Sequence, residues 1–274
     1  MHPEIKQPVF VVGCPRSGTG ALGWQLAEHH ELATFTNNTV KYPTHYWITR
    51  FIRMCRIKEE RPSEGHRLWD SLCTHGDDTL RREDATDENA EFVRESIRTA
   101  LRIFKKPRFI NKCPTNALRL PFFDEIFPDA YFVHIVRDGR AVAHSILRKR
   151  ERHDEDYWGA RPPGWQAVME RPLIEGCGLQ WKLFVTHALD LAEQIPEERY
   201  IEVRYESYVE DPAGTLKMIA ERCGLAPWEP DVLRGSEEEI QSRNYKWKEN
   251  FTQEQIAALN EIQGDLLERL GYEV

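Results

Sequence analysis

No run of the chain approaches the roughly 18 consecutive apolar residues of a membrane span. The first residues, Met1-His2-Pro3-Glu4-Ile5-Lys6, lack the apolar core of a secretion signal. Six cysteines (Cys14, Cys55, Cys73, Cys113, Cys177 and Cys223) are scattered, with no CxxC pair and no Cys/His grouping at zinc spacing. These absences predict a cytoplasmic protein with reduced, mostly buried thiols, no stable membrane insertion and no metal. Positive charge is also scarce: 37 Lys+Arg stand against 45 Asp+Glu, a formal charge of −8. That balance argues against a general binder of nucleic acid or of anionic membranes, since both need a broad basic face. Any anion must be held by a local site working against the overall charge.

The 274 residues, 41% hydrophobic and 30% charged, suit one large soluble domain or two small ones. Short apolar runs predict buried strands at Val9 to Val12, Tyr131 to Val136 and Tyr200 to Val203, with a fourth starting at Phe109-Ile110. Helical spacing separates them: Ala21 to His29, then Phe92 to Phe104, then Leu179 to Leu191 ahead of Pro196. Asp211-Pro212 caps a helix that Gly224 closes, and Thr252 to Gln255 is a capping box for a C-terminal helix. The alternation implies an α/β fold, a parallel sheet flanked by helices in one domain over residues 1–274. Two stretches break it. Residues 58–91 are acidic and poor in apolar residues, and residues 151–176 are irregular, with Pro162-Pro163, Trp158 and Trp165. Both read as surface insertions; the second is alternatively a lid.

The segment Val9 to Leu22 reads strand, glycine loop, helix. Loop amides and a helix N-terminus there form an anion cradle. Gly13 and Gly18 keep the spacing of the triphosphate-binding loop GxxxxGK[ST], but Thr19 replaces its lysine and Gly20 its magnesium-holding hydroxyl. Arg16 sits in the loop instead. The pattern suits a shorter anion without magnesium; the bland alternative is a glycine turn. At the end of Tyr131 to Val136 come Arg137-Asp138-Gly139-Arg140, and Ser145 follows two helical turns later. Ligands bind beyond the carboxyl ends of parallel strands, so Arg137 and Ser145 fit a second phosphate site; alternatively Arg137 pairs with Asp138. Two anion sites on one sheet edge suggest a nucleotide with phosphate at both ends.

These residues resemble the sulfotransferase family, whose donor is 3′-phosphoadenosine 5′-phosphosulfate (PAPS), in its bacterial and carbohydrate-type branches. Pro15-Arg16-Ser17-Gly18-Thr19-Gly20 is similar to the family's 5′-phosphate loop, and Arg137 with Ser145 to its 3′-phosphate motif. Phe127-Pro128-Asp129-Ala130, Arg204-Tyr205-Glu206 and Asn244 to Thr252 resemble further family elements. The resemblance implies a P-loop nucleotide-kinase-like sulfotransferase fold and sulfuryl transfer from PAPS to a hydroxyl or amine of a small-molecule, carbohydrate or lipid acceptor. One departure is Gly20, where the family usually carries threonine.

In-line sulfuryl transfer needs the leaving phosphate held, its bridging oxygen neutralised and the acceptor proton removed. Arg16 and the amides of Ser17, Gly18, Thr19 and Gly20 fit the first task. Lys112, in Asn111-Lys112-Cys113-Pro114, fits the second; Asn111 stands where many carbohydrate-type members have glutamate. For the base, His45 in Lys41 to Trp47 has a suitable intrinsic pKa, with Glu31, Glu59 and Glu60 as alternatives. His134 reads as a core residue, and Glu206 as a structural partner near Arg204. Arg243, Lys246 and Lys248 either touch the 3′-phosphate or form a solvated loop. Tyr46, Trp47, Trp158 and Trp165 would suit stacking on an acceptor. The rival readings are a kinase-like P-loop nucleotide enzyme, disfavoured by Thr19 and Gly20, and a non-catalytic binder of 3′-phosphoadenosine nucleotides. The oligomeric state is open.

Overall fold

The computed structural model describes residues 3–57, 59–153, 159–229 and 243–274. Five strands form one parallel sheet: β1 (Val9–Val12), β2 (Leu32–Ala33), β3 (Arg108–Lys112), β4 (Tyr131–Val136) and β5 (Tyr200–Arg204), in the order β2-β3-β1-β4-β5. The four runs read as strands all form, and Phe109-Ile110 lies inside β3. The edge strand β2 is only two residues long, too short for a hydrophobic run to signal it. Register is continuous across the centre, with Val11 opposite both Lys112 and Val133.

The sheet is covered on both faces, as parallel sheets require. Phe10 and Val12 point into a core with Phe109, Phe122, Phe123, Phe132, Trp181 and Phe184. Val9 and Val11 point the other way, into a core with Leu22, Leu26, Ile201 and Leu216. Helix α1 (Thr19–Ala27) follows β1 onto this second face. The short helices α2 (Asn37–Lys41), α3 (Tyr46–Met54) and α4 (His66–Asp70) come after β2. The first face carries α5 (Asp87–Phe104), α6 (Leu120–Ile126), α7 (Gly139–His153) and, after the single turn α8 (Gln166–Met169), α9 (Leu173–Ala192). Beyond β5, α10 (Tyr205–Glu210) and α11 (Pro212–Arg222) return to the second face. The expected caps form: the Asp211 carboxylate accepts from the Gly214 amide, and Thr252 with Gln255 makes a reciprocal box ahead of the C-terminal helix Gln253–Arg269.

The stretch 58–91 is more than a surface insertion. Leu68, Trp69 and Leu80 are buried in the first core, and α4 lies within it. Buried Arg119 ties this segment down, donating to the Asp78 carbonyl (2.9 Å), Asn116 (3.0 Å) and Asp70 (3.3 Å). The second irregular stretch meets the first. Arg161 pairs with Asp78 at 2.8 Å, and the Asp78 amide returns a bond to the Arg161 carbonyl. Trp158 lies outside the described residues.

Candidate active site

β1 has neighbours on both sides, and the chain leaves it toward β2 before crossing back to β4. That switch point is where a crevice opens beyond the strand ends. The tips of β1, β3 and β4 there deliver Arg16, Lys112 and Arg137 into one cleft of about 1440 Å³. Among the described residues, Arg16, Lys112, Arg137, Arg148, Lys149, Arg152, Arg161, Arg243 and Lys246 line it, with Glu64, Asp70, Asp78 and Glu249. Nine described cations thus face four described carboxylates, opposite in sign to the chain's −8. This is the local exception that anion binding requires.

The loop after β1 is shaped for it. Gly18, at φ 98, precedes α1 and offers no side-chain cap, so the first amides of the helix are left without a capping side chain. A Cβ at Gly18 would lie 2.5 Å from the Tyr205 ring, so only glycine fits both the conformation and the space. Ser17 is buried, and its hydroxyl has no hydrogen-bond partner among the described residues. A buried orphan hydroxyl beside an uncapped helix start fits a bound phosphate oxygen. Arg16 adopts φ 75, a strained conformation for a side-chain-bearing residue. It is held from across the cleft: its Nε donates to Ser145 Oγ (2.9 Å), and its carbonyl accepts from Arg137 (3.0 Å).

Arg137 does not pair with Asp138, which instead closes a buried pair with Arg140 at 3.0 Å. Arg137 donates to Asn244 at 2.9 Å and lies 4.1 Å from the centre of the Tyr205 ring. Asn244 is in turn held by Glu206 (2.6 Å), which also accepts from the Tyr272 hydroxyl (3.0 Å). Glu206 thus buttresses Arg137 through Asn244. It is not an Arg204 partner, because Arg204 donates to the Leu270 carbonyl and stacks on Tyr272. Burial, then the neighbouring charges of Arg152 and Arg243, lowers the pKa of Arg16; burial does the same for Arg137. An anion would relieve both. Arg243 and Lys246 line the cleft, whereas Lys248 turns outward over Trp247.

At the end of β3, Lys112 is 5% exposed. Its amine lies 4.8 Å from the Trp24 ring centre and donates to Glu64. Gly23 makes room for its stem, since a Cβ there would overlap Lys112. A Cβ at Gly20 would sit 3.9 Å from Lys112 Nζ, so position 20 has space for a side chain beside the amine. Glu64 also accepts from His66 at 2.7 Å, and its carbonyl accepts from buried Asn111 at 3.1 Å. Burial would raise the Glu64 pKa, but the His66 hydrogen bond and Lys112 outweigh it and hold the carboxyl below its ordinary value. His66 lies between Cys113 (3.9 Å) and Glu64, which push its pKa up to about 10. Glu64, His66 and Cys113 offer a carboxylate, an imidazole and a thiol within 4.8 Å of one another, a set that could also ligate a cation.

Glu64, the carboxylate that meets Lys112, was not among the residues expected from sequence. His45 is exposed at the start of α3, its ring 3.3 Å from the Thr44 hydroxyl, and does not line the cleft. Glu31 accepts from the Ala226 amide, Glu59 pairs with Arg61, and Glu60 pairs with Arg53; none reaches the cleft. Tyr46, Trp47 and Trp165 are likewise absent from its walls. The available signal was Glu64-Gly65-His66 running into buried Leu68-Trp69, inside a stretch whose acidity disguised it. His134 is buried in β4, as its strand position implies.

Residues 8–230 match the sulfotransferase family. The chain belongs to that family. This sulfotransferase is 24% identical, over 97% of its length and 75% of the relative's, to the omega-hydroxy-beta-dihydromenaquinone-9 sulfotransferase of Mycobacterium bovis. It is 22% identical to protein-tyrosine sulfotransferase A of Caenorhabditis elegans, over 97% of this chain and 67% of that one. Its fold is that of a Mycobacterium avium sulfotransferase (TM-score 0.64, 15% identity, 99% of this chain and 78% of that one). The sulfotransferase domain of the Synechococcus PCC 7002 olefin synthase shares it too (TM-score 0.57, 20% identity, 100% and 98%). No helix among the described residues is long and apolar enough to cross a membrane.

Proposed function

We propose that this sulfotransferase takes its sulfuryl group from PAPS and delivers it to a hydroxyl-bearing acceptor at the Lys112–Glu64 end of the cleft. The observation that carries the reading is the junction of two anion sites: Arg16, in the loop after β1, is bonded both to Ser145 and to Arg137. A donor with phosphate on both ends of its ribose matches two such sites side by side.

PAPS supplies an activated sulfuryl group on a phosphate leaving group. Arg16, the Ser17 hydroxyl and the amides of Gly18, Thr19 and Gly20 hold the 5′ end. Arg137 and Ser145 hold the 3′-phosphate, with Arg243 and Lys246 closing the same wall. Lys112 directs its ammonium at the oxygen on which charge develops. When Lys112 turns from Glu64 to that oxygen, the carboxylate loses a cationic neighbour, gains basicity and can accept the acceptor proton. His66 and Asn111 keep Glu64 in place. The relatives' names specify an omega-hydroxy menaquinone and protein tyrosine, both oxygen acceptors, which supports oxygen over nitrogen here.

The test is transfer from labelled PAPS to phenolic, sugar and long-chain alcohol acceptors, with and without chelator. Sulfated product with undiminished yield in chelator is expected. Hydrolysis of ATP in place of sulfuryl transfer, or a requirement for magnesium, would contradict the reading.

A further inference from the structure

Helix α3 is amphipathic in the wrong sense for a folded core. Thr49 is buried and Ile52 half-buried against the protein, while Trp47 (70% exposed), Met54 (69%), Phe51 (55%) and Ile48 (43%) face solvent. Ile57, just beyond the helix, is 55% exposed on the same segment. Positions 47, 51 and 54 recur at helical spacing, so these side chains form one outward stripe. The inner side is anchored through polar and cationic groups. Arg102 lies 3.8 Å from the Tyr46 ring centre, Arg53 lies 4.6 Å from that of Phe104, and Arg53 pairs with Glu60 at 3.1 Å. The apolar stripe is therefore surplus to the fold.

The charge within the segment that carries the helix is one-sided. From residue 32 to residue 58 the sequence contains no Asp or Glu but includes Lys41, Arg50, Arg53, Arg56 and Lys58. Among the described residues, Lys41, Arg50 and Arg56 have no ion-pair partner; Arg50 donates to the Tyr46 hydroxyl and lies 5.6 Å from the Trp47 ring centre. An apolar stripe headed by tryptophan and rimmed by such arginines is the make-up of a helix that lies in the plane of a bilayer interface. A second copy of the chain fits it poorly, since a two-fold contact would bring like-charged arginine rims together.

We propose that α3 with Ile57 is a peripheral docking surface for an anionic lipid bilayer, its apolar stripe buried among the acyl chains and its arginines on the headgroups. The average charge of −8 does not decide this, because docking uses a local patch as the cleft does. The proposal stands independently of the donor assignment.

The test is co-sedimentation of the full chain with vesicles of phosphatidylcholine containing phosphatidylglycerol, and with pure phosphatidylcholine. Binding to the anionic vesicles that weakens with salt is expected. The double variant Trp47→Ser/Phe51→Ser should lower it by at least about tenfold with an unchanged melting temperature, because both side chains are exposed. Arg50→Gln with Arg56→Gln should weaken it by about fivefold per charge. No binding to anionic vesicles, or binding equal in all variants, would overturn the proposal. So would a dimer, seen by light scattering, that Trp47→Ser/Phe51→Ser dissolves, since a second copy would then be what covers the stripe.

Discussion

Arg16 Nε donates to Ser145 Oγ at 2.9 Å, joining a loop and a helix 129 residues apart in sequence. Arg137 completes the junction by donating to the Arg16 carbonyl. The strained φ of Arg16 is thus fixed from the far side of the cleft, and the two proposed anion sites are joined as one unit. Neither can be altered without reaching the other.

Lys112→Ala should lower turnover by about 10² to 10³, the range for removal of one donor to a developing anion. Binding of adenosine 3′,5′-bisphosphate should change far less, because Lys112 faces Glu64 and Trp24 rather than the Arg137 wall. Steady-state kinetics beside calorimetry checks this; equal losses in both would assign Lys112 to binding alone.

Glu64→Gln should cost about 10² to 10⁴ in kcat, the span of general-base contributions. The wild-type rate should fall only at pH below the ordinary carboxylate range, because His66 and Lys112 hold the Glu64 pKa down despite its burial. The variant should lack that acid limb. His45→Ala, exposed and outside the cleft, should keep both rate and profile. A pH series of kcat/KM on the three proteins provides the check.

Gly20→Thr should tighten the 5′-phosphate site. The space beside Lys112 Nζ, 3.9 Å from a Cβ at this position, admits a threonine hydroxyl. One added hydrogen bond to a charged group predicts roughly tenfold tighter binding of adenosine 3′,5′-bisphosphate. Unchanged or weaker binding would show that the backbone amides already satisfy that oxygen.

His134 predicts an acid-sensitive fold. Burial keeps its imidazole neutral, with a pKa pulled down to about 4. The unfolded chain takes up a proton near the ordinary value of 6.5 that the native protein refuses, so stability falls as the pH drops from there toward 4. The loss approaches about 3 kcal/mol by pH 4. Urea unfolding across this range should show a smaller decline in His134→Asn, and parallel declines would remove His134 as the cause.

The sheet and the cluster that forms the candidate anion sites were legible because each is written in consecutive residues: four apolar runs, a glycine loop with Arg16, and Arg137 with Ser145 two helical turns on. Glu64 was not, since its role depends on Arg119 and Asn111, distant in sequence, holding an acidic segment against Lys112. The Glu206–Asn244–Arg137 chain was hidden for the same reason: contacts between three separate segments leave no local period or motif. Strand β2 escaped because two residues cannot display alternation. The outward stripe of α3 has a helical period, but period alone does not tell which face meets the protein.

The central claim, a donor held at two joined phosphate sites, is tested most directly by calorimetric binding of adenosine 3′,5′-bisphosphate and of adenosine 5′-monophosphate. Both are measured on the wild type and on Arg137→Ala. The wild type should prefer the bisphosphate by about 10- to 100-fold, the worth of charge-assisted bonds to one extra phosphate, and Arg137→Ala should erase that preference. Equal affinities in the wild type, or a preference that survives the substitution, would contradict the account.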